Sequence, residues 1–256
     1  MLEITSASNP RYKYIKSLSR KKERMKYKEY TVEGKKSVSD AVMANKDISV
    51  IAVSETFFEN ENFNYPENTQ LLKVSDAIFD NMCDTEAPQG IIAVIKMDNQ
   101  AEFVPDTEKA YIYCDGINDP GNLGTIIRTA DAAGFGGVIL SEGTVDLYSP
   151  KTVRSSMGSF FNIPVIINKT VKDLKEYQQA GFTLYGGALD ENTIDYRSAD
   201  FSKPSLIIVG NEANGISDEV LKLCKSVKIP ILGGAESLNV AVASGILMYE
   251  LVRQRT

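Results

Sequence analysis

Residues 229–250 read Ile229-Pro-Ile-Leu-Gly-Gly-Ala-Glu-Ser-Leu-Asn-Val-Ala-Val-Ala-Ser-Gly-Ile-Leu-Met-Tyr-Glu250, so a polar, glycine-containing loop leads directly into an apolar helix. Gly233 and Gly234 allow the backbone to approach a ligand closely. Ser237 and Asn239 lie where the first N–H groups of a helix lack partners, and capping is the usual role of Ser and Asn there. This segment alone predicts either a helix cap or a ligand-binding loop.

Two further segments have the same order of strand, glycine-containing loop and helix. Residues 206–217 pass from an apolar strand into a loop that carries Glu212 between Gly210 and Gly215. Residues 110–133 begin as a strand, continue through a loop at 115–122 and end as a helix. Open α/β sheets bind ligands at the carboxyl ends of their strands. We therefore expect the three loops to meet at one crevice.

Strands alternate with helices along the whole chain, which predicts an α/β fold with a mostly parallel sheet and helices on both faces. The polar segment 98–109 is interrupted by Pro105 and is the expected linker between a domain at 1–97 and a domain at 110–256. The expected strands are 30–33, 48–53, 71–74, 90–95, 111–114, 137–140, 164–167, 183–186, 206–209 and 226–229. The expected helices are a basic helix before residue 30, then 35–44, 75–82, 123–133, 153–159, 171–180, 218–223 and the final helix.

The composition excludes several classes of protein. No apolar run reaches the roughly 18 residues of a membrane span, and the N-terminus has no signal-peptide core, so we expect a soluble cytoplasmic protein. Cys83, Cys114 and Cys224 are far apart, and the chain has no histidine, so we expect core cysteines and no metal site. The lack of histidine also excludes Ser-His-Asp and Cys-His catalysis.

The charge is divided unevenly along the chain. The net charge is −6, but residues 1–36 hold eleven Lys and Arg against four Glu. Tyr12, Tyr14, Tyr27 and Tyr30 are interleaved with these cations, which gives phosphate contacts and stacking faces for RNA. The alternative, favoured for an isolated basic run, is a solvated helix face that only keeps the protein soluble; RNA docking is favoured only if an RNA-modifying domain accompanies the run. The expected RNA-binding residues are Arg11, Lys13, Lys16, Arg20, Lys21, Lys22 and Arg24.

A dinucleotide-binding fold is a weaker interpretation of the glycines at Gly134-Phe-Gly-Gly137. A dinucleotide fingerprint places its glycines between a first strand and a helix, whereas these follow a helix and precede a strand. They are typical of a helix C-terminus and the turn after it. The chain also has no Gly-Lys-Ser/Thr phosphate-binding loop.

The three glycine-containing segments resemble, in order, the three motifs of the SpoU-type RNA ribose 2′-O-methyltransferases of the knotted SPOUT superfamily. The first motif holds Asn122 and Arg128, the second holds Gly210-Asn-Glu212 with Gly215, and the third holds Ile229-Pro230 with Glu236-Ser-Leu-Asn239. The resemblance covers roughly residues 110–253. A weaker one extends over Ile4 to Asn9 and Tyr30 to Gly34, which are similar to an L30e-like substrate-binding domain.

This resemblance implies an α/β fold with a C-terminal trefoil knot, preceded by a small α/β L30e-like domain. It implies S-adenosylmethionine as the cofactor, RNA as the partner, ribosomal RNA rather than transfer RNA, and a homodimer formed through the catalytic domain. The implied catalytic residues are Asn122, Arg128, Glu212, Ser237 and Asn239. The implied cofactor-binding residues are Val209, Gly210, Asn211, Gly215, Ile229, Ile231, Ser237 and Leu238.

The resemblance leaves alternatives open. The chain could act on transfer RNA, it could methylate a base rather than a ribose, or it could be an RNA-binding protein that has kept the fold without catalysis. Arg128 could contact a backbone phosphate and stabilise alkoxide charge, or it could form a surface ion pair with Asp131. Glu212 could order the loops through backbone N–H groups or accept the proton of the ribose hydroxyl.

Overall fold

The computed structural model describes residues 1–98, 103–188 and 193–256. The chain forms two compact units. The N-terminal unit comprises Met1–Asn99 and Asp146–Phe161, and the C-terminal unit comprises Gln100–Val145 and Asn162–Thr256. The division drawn from the sequence, with a linker at 98–109, differs in its treatment of 146–161 and stays a prediction. Residues 99–102 of that linker lie outside the described residues.

The elements of both units are numbered in chain order. The strands are β1 (Leu2–Ile4), β2 (Glu29–Glu33), β3 (Ile48–Ser54), β4 (Gln70–Val74), β5 (Ile91–Lys96), β6 (Tyr111–Asp115), β7 (Gly137–Ser141), β8 (Val165–Lys169), β9 (Thr183–Gly187), β10 (Ile194–Asp195), β11 (Ser205–Gly210) and β12 (Lys225–Lys228). The helices are α1 (Pro10–Ser17), α2 (Lys21–Tyr27), α3 (Lys35–Met43), α4 (Glu55–Asn60), α5 (Asp76–Phe79), α6 (Pro120–Ala132), α7 (Pro150–Ser155), α8 (Val171–Gln179), α9 (Asp218–Leu221) and α10 (Val240–Arg255). None of the helices in the described ranges is long and apolar enough to span a bilayer.

The N-terminal unit contains a mixed five-stranded sheet in the order β1-β4-β3-β5-β2. Strands β1, β4 and β3 are parallel, and β5 is antiparallel to both of its neighbours. The basic stretch forms two helices. Asn9 caps α1 by accepting the N–H of Arg11 at 2.9 Å, and Lys28 ends α2 in the left-handed region with φ 56°. Tyr12 and Ile15 of α1 are buried, which fixes the inner face of that helix.

The segment Asp146–Phe161 is part of the core of the N-terminal unit. The ring of Tyr30 lies 4.9 Å from the ring of Tyr148 and 5.6 Å from that of Phe160, measured between centroids. Arg24 is 3% exposed, and its guanidinium lies 2.6 Å from the carboxylate of Asp146. The same guanidinium donates to the carbonyl oxygens of residues 18 and 19. A buried cation with these partners is a structural element of the unit.

The C-terminal unit contains a seven-stranded sheet in the order β10-β12-β9-β11-β6-β7-β8, and all of its described pairings are parallel. The expectation of a mostly parallel sheet is confirmed. Every residue of β11 is buried, as an apolar strand covered on both faces requires. Helix α10 packs against both α6 and β11. Because the strands are parallel, the carboxyl ends of β6, β11 and β12 lie at the same edge of the sheet.

Several element boundaries differ from the expectation. Helix α6 begins at Pro120 rather than 123, because Asp119 caps it by accepting the N–H of Asn122 at 2.9 Å. Helix α7 begins at Pro150 after its cap Ser149 and ends at residue 155 rather than 159. In both helices proline occupies the first turn, where its missing N–H costs nothing, so the signal was present in the sequence. Strands β1 and β10 and helix α4 were not expected.

Candidate functional site

The three loops of the sequence motifs lie at the carboxyl edge of the C-terminal sheet. One loop follows β6, which ends at Asp115, and a second follows β11, which ends at Gly210. The third follows β12 and continues to Asn239, the residue before α10. These strands are neighbours or near neighbours in the sheet, and this brings together segments that are far apart in sequence.

The carboxylate of Glu212 connects the first and second loops. Its oxygens accept the backbone N–H of Asn118 at 3.0 Å, the N–H of Asp119 at 3.1 Å, and the side-chain amide of Asn122 at 2.9 Å. Burial raises the pKa of Glu212, but these hydrogen bonds outweigh burial and hold the pKa below its ordinary value. Glu212 is therefore an ionised acceptor with its oxygens already engaged, as the loop-ordering role requires.

Asn122 and Asn239 extend this network to the third loop. The side-chain Nδ2 of Asn239 donates to Oδ1 of Asn122 at 2.9 Å. Oδ1 of Asn239 accepts the N–H groups of Ala241 and Val242 at the start of α10. Asn239 is thus the helix cap that its position in the sequence allowed, and it also contacts the first motif. The hydrogen bonds fix the orientation of both side-chain amides: the N–H₂ group of Asn239 points to Asn122, and the N–H₂ group of Asn122 points to Glu212.

The loop after β11 has a close-packed backbone. A Cβ on Gly210 would lie 2.1 Å from the carbonyl carbon of Gly215, so only glycine fits at position 210. Gly215 has φ 71°, which favours glycine, and exchanges two backbone hydrogen bonds of 2.9 Å with Asn211. The side chain of Asn211 accepts the N–H of Ala213 and donates to the carbonyl of Gly116 at 2.7 Å. The loop is therefore held in one conformation.

The second and third loops enclose a cavity of about 530 Å³. Its size is within the range of about 300–1,000 Å³ that small-molecule sites occupy. The wall combines apolar side chains with glycine backbone and includes all eight expected cofactor-binding residues: Val209, Gly210, Asn211, Gly215, Ile229, Ile231, Ser237 and Leu238. Glu212 and Asn239 also line it. Within the described ranges, no three His, Cys, Asp or Glu side chains are grouped as metal ligands.

Ser237 and Arg128 complete the expected catalytic set. Ser237 lines the cavity and is exposed. Arg128 is exposed on α6, the helix whose first turn holds Asn122, and it is not part of the cavity wall. The ion pair between Arg128 and Asp131 is not formed among the described residues. Instead, the Asp131 carboxylate accepts a hydrogen bond from the side-chain amide of Asn162 at 3.4 Å. The guanidinium of Arg128 is available for an external anion.

The seven basic residues that were expected to bind RNA divide into two groups. Six of them are exposed and form what we call the N-terminal basic surface: Arg11, Lys13, Lys16, Arg20, Lys21 and Lys22. Arg24 does not belong to this surface, since it is buried and paired with Asp146. The expectation that Arg24 binds RNA is therefore wrong. An arginine in the middle of a cationic helix gave no sign in the sequence that an acidic partner 122 residues away would bury it.

Several residues of the site were not expected. The carboxylate of Asp115 accepts the N–H of Ser217 at 2.8 Å and so fixes the end of the second loop. Gly187 and Ala188 from the end of β9 line the cavity, as do Lys228 from β12 and Leu247 from α10. Asp115 could have been found, because it ends a strand at the predicted crevice. The neighbourhood of β9 depends on strand order, which the sequence does not reveal.

Comparison with known families matches both parts of the chain. Residues 109–249 match the model of the SpoU rRNA Methylase family, and residues 9–93 match an MRM3-like substrate binding domain. The first match includes every residue of the network that joins the three loops.

Individual relatives match over nearly the whole chain. The chain is 38% identical to the 23S rRNA (guanosine(2553)-2′-O)-methyltransferase RlmP of Bacillus subtilis, over 98% of this chain and 99% of that protein. It is similar in structure to an AdoMet-bound rRNA methyltransferase from Sinorhizobium meliloti, with a TM-score of 0.88, 33% identity and coverage of 98% and 97% of the two chains. Human mitochondrial rRNA methyltransferase 3 is 29% identical over 87% of this chain and 67% of its own length. The chain belongs to the SpoU rRNA methylase family.

Proposed function

We propose that this protein is an S-adenosylmethionine-dependent methyltransferase that modifies a ribose 2′-hydroxyl of ribosomal RNA. The main observation behind this proposal is the hydrogen-bond network Glu212–Asn122–Asn239, which connects the three motif loops beside a cavity of about 530 Å³. The relatives named as 23S rRNA 2′-O-methyltransferases support ribosomal RNA as the substrate class.

The cavity fits the proposed cofactor. Val209, Ile229, Leu238 and Leu247 offer apolar surface for a purine ring, and the glycines of the second loop expose backbone groups for polar contacts. The wall contains one cationic side chain, that of Lys228, and the carboxylates of Glu212 and Glu236. Structural neighbours of the family are described as bound to AdoMet. When bound, S-adenosylmethionine supplies a methyl group on a cationic sulfur, which is already activated for displacement.

The side chains of the protein then position the acceptor and stabilise charge. A guanidinium offers only N–H donors and no acceptor atom, so Arg128 is not assigned the role of a simple base. We assign it to a phosphate beside the target ribose and to the negative charge that develops on the 2′-oxygen. Asn122 and Asn239 order the loop backbone, and the exposed hydroxyl of Ser237 faces the same cavity as a hydrogen-bonding group for the reactants. Glu212 acts as a positioning residue.

The N-terminal basic surface is the proposed RNA-docking site. Its six exposed cations match the phosphate backbone of RNA, while the rest of the chain after residue 36 is acidic. RNA docking and cofactor binding are thereby assigned to different units. We propose the cytoplasm as the place of action, because the relatives that match nearly the whole chain include the bacterial proteins named above.

The function is tested on 23S rRNA from cells with and without the gene. The 2′-O-methyl group blocks alkaline cleavage at its own linkage, so a gap in the cleavage ladder should disappear on deletion and return with the wild-type gene. The position equivalent to the guanosine of the Bacillus relative is the first to examine. An unchanged ladder throughout 16S and 23S rRNA would overturn the proposal, and a gap lost from transfer RNA would redirect it.

We also propose a homodimer and a C-terminal knot. Helix α10 is apolar on more than its inner face, with Val242 52% and Tyr249 51% exposed, which suits burial against a second copy. The knot is proposed from the resemblance of the three motifs to the SpoU-type enzymes, and the third loop and α10 line the cavity together with the second loop. Sedimentation should give twice the chain mass, and Val242→Lys should reduce it to that of one chain. A wild-type monomer at micromolar concentration would contradict the dimer.

A further inference from the structure

The tyrosines around the basic helices differ sharply in exposure. Tyr12 and Tyr30 are 3% and 1% exposed and belong to the core. Tyr14 is half-buried and donates its hydroxyl hydrogen bond to the carboxylate of Glu29. Tyr27 is 41% exposed at the end of α2. Of these four aromatic rings, only that of Tyr27 offers a large surface to an external ligand.

The position of Tyr27 is fixed by its surroundings. The next residue, Lys28, caps α2 and accepts the N–H of Met97 at 2.8 Å, which attaches the end of the helix to the segment after β5. The rings of Tyr27 and Tyr14 meet edge to face, with centroids 5.1 Å apart and planes at 85°. A ring held in this way loses little freedom when a ligand stacks on it.

Tyr27 is also next to a cation that can change partners. Nζ of Lys26 lies 4.7 Å from the centroid of the Tyr27 ring and 3.3 Å from its hydroxyl. The side chain of Lys26 is 61% exposed, and its ion pair with Glu23 is long, at 3.8 Å. Exposed pairs of this kind contribute little, so a phosphate can draw the ammonium away from the ring. Lys21 and Lys22 of the N-terminal basic surface lie on the same helix.

We propose that Tyr27, with Lys26 beside it, is a stacking site for one unpaired base of the RNA substrate. The proposal rests on the proposed function and adds a requirement about the substrate. In an A-form duplex the faces of the bases are covered by their neighbours, so an aromatic ring stacks only on bases in loops, bulges or ends. Lysines bind the phosphates of any RNA, whereas Tyr27 selects RNA that presents an unpaired nucleotide close to the N-terminal basic surface.

The absence of tryptophan from the chain allows a direct test. Tyr27→Trp places a single indole at the site, and a matched control, Tyr65→Trp, places one in the segment 61–69 between α4 and β4, which holds two Glu and no Lys or Arg. Both are titrated with an RNA hairpin that has an unpaired loop and with a fully paired duplex of equal length whose two ends are closed by non-nucleotide linkers, at equal salt. We expect the hairpin to quench the indole at position 27, and we expect no quenching by the duplex or at position 65.

Affinity measurements complete the test. Tyr27→Ala should weaken hairpin binding by about tenfold and leave duplex binding unchanged, and Tyr27→Phe should retain wild-type affinity. Hairpin binding without quenching at position 27, equal quenching by the duplex, or wild-type affinity of Tyr27→Ala would each overturn the stacking site. Emission that changes with protein concentration alone would overturn it too, by assigning the ring to contact between copies. These readouts need no methyl transfer, so they are independent of the ladder experiment that tests the function.

Discussion

Nδ2 of Asn239 donates a hydrogen bond to Oδ1 of Asn122, 2.9 Å away, although 117 residues separate them in the chain. Since Oδ1 of Asn239 already caps α10, the amide of Asn239 has only its N–H₂ to present to Asn122. Asn122 is then oriented with its own N–H₂ toward Glu212. One helix cap therefore determines the orientation of the whole network.

The two roles of Asn239 can be separated by a pair of substitutions. Asn239→Ala removes the cap and the donor, so it should lower the free energy of unfolding by about 1 kcal/mol and weaken cofactor binding as well. Asn239→Asp keeps a capping oxygen but presents a carboxylate to Oδ1 of Asn122. The Asn239→Asp variant should have nearly the same free energy of unfolding as the wild type, but it should bind the cofactor more weakly than the wild type. Thermal unfolding and calorimetric titration measure both effects, and wild-type behaviour of both variants would remove Asn239 from the site.

Glu212 should make the order of the loops depend on acid pH. Its pKa is lower in the folded protein than the ordinary value of 4.5, so its stabilising contribution is complete above that value and is lost as the pH falls through the lower, folded-state pKa. The affinity of the wild-type protein for the cofactor should therefore fall below about pH 4.5. The Glu212→Gln variant should bind the cofactor about tenfold more weakly than the wild type at neutral pH, and its affinity should depend less on acid pH. If Glu212 were instead the base, the variant would bind the cofactor normally and lose only turnover.

Arg128→Ala should reduce single-turnover methylation by about 10²–10³ while leaving cofactor affinity unchanged, because Arg128 is outside the cavity wall. Arg128→Lys should restore little, since lysine lacks the planar pair of donors. Rapid-quench methylation and calorimetry without RNA give the two quantities. Lys172→Ala, which alters a cation in the first turn of α8, serves as the control. Normal turnover of Arg128→Ala would contradict the assignment.

Arg24 and Lys21 lie on the same helix, but we expect Arg24 to contribute to stability and Lys21 to contribute to RNA binding. Asp146→Ala leaves the buried guanidinium of Arg24 without its carboxylate, so we expect a loss of about 3–5 kcal/mol in the free energy of unfolding. Lys21→Ala should hardly change stability, yet it should lower the salt dependence of RNA binding by about one unit of the logarithmic slope. Arg24→Met should be destabilised without that change in slope. Urea unfolding and RNA titrations at several salt concentrations test the contrast.

A fragment of residues 1–98 should be less stable than the N-terminal unit within the full chain. It retains Tyr30 but lacks Tyr148 and Phe160, whose rings cover it. Near-ultraviolet circular dichroism should show weakened tertiary packing of the fragment, and hydrogen exchange of β2 and β5 should be faster than in the whole protein. Native-like protection of the fragment would show that the segment 146–161 is dispensable for the unit.

The sequence predicted the parts of the site that depend on local chemistry. Gly210 and Gly215 could be assigned to a close-approach loop from their residue type. The eight cofactor-binding residues were instead implied by the resemblance to the SpoU-type enzymes, and all eight lie in one wall of the cavity. Their binding role and the catalytic roles stay predictions. Neither the partnership of Glu212 with Asn118 and Asp119 nor the burial of Arg24 could be predicted, because both depend on which distant segments the fold brings together.

The shortest elements also escaped prediction for a physical reason. Strand β1 has three residues, of which only Ile4 is buried, and β10 has two. Segments this short carry no measurable alternation of apolar and polar side chains, and they become strands only through pairing with β4 and β12. The starts of α6 and α7 were available from Pro120 and Pro150 and were placed too late.

The position of Asp146–Phe161 in the N-terminal unit has a consequence for folding during synthesis. Proteins emerge from the ribosome N-terminus first, and domains generally fold as they emerge. Here the first unit cannot bury Arg24 or complete the packing around Tyr30 until residue 161 has been released. By then β6, α6 and β7 of the second unit have been released as well. The apolar residues of two incomplete cores are therefore exposed on the nascent chain at the same time. A ribosomal pause before residue 146 would prolong the exposure of the core of the first unit.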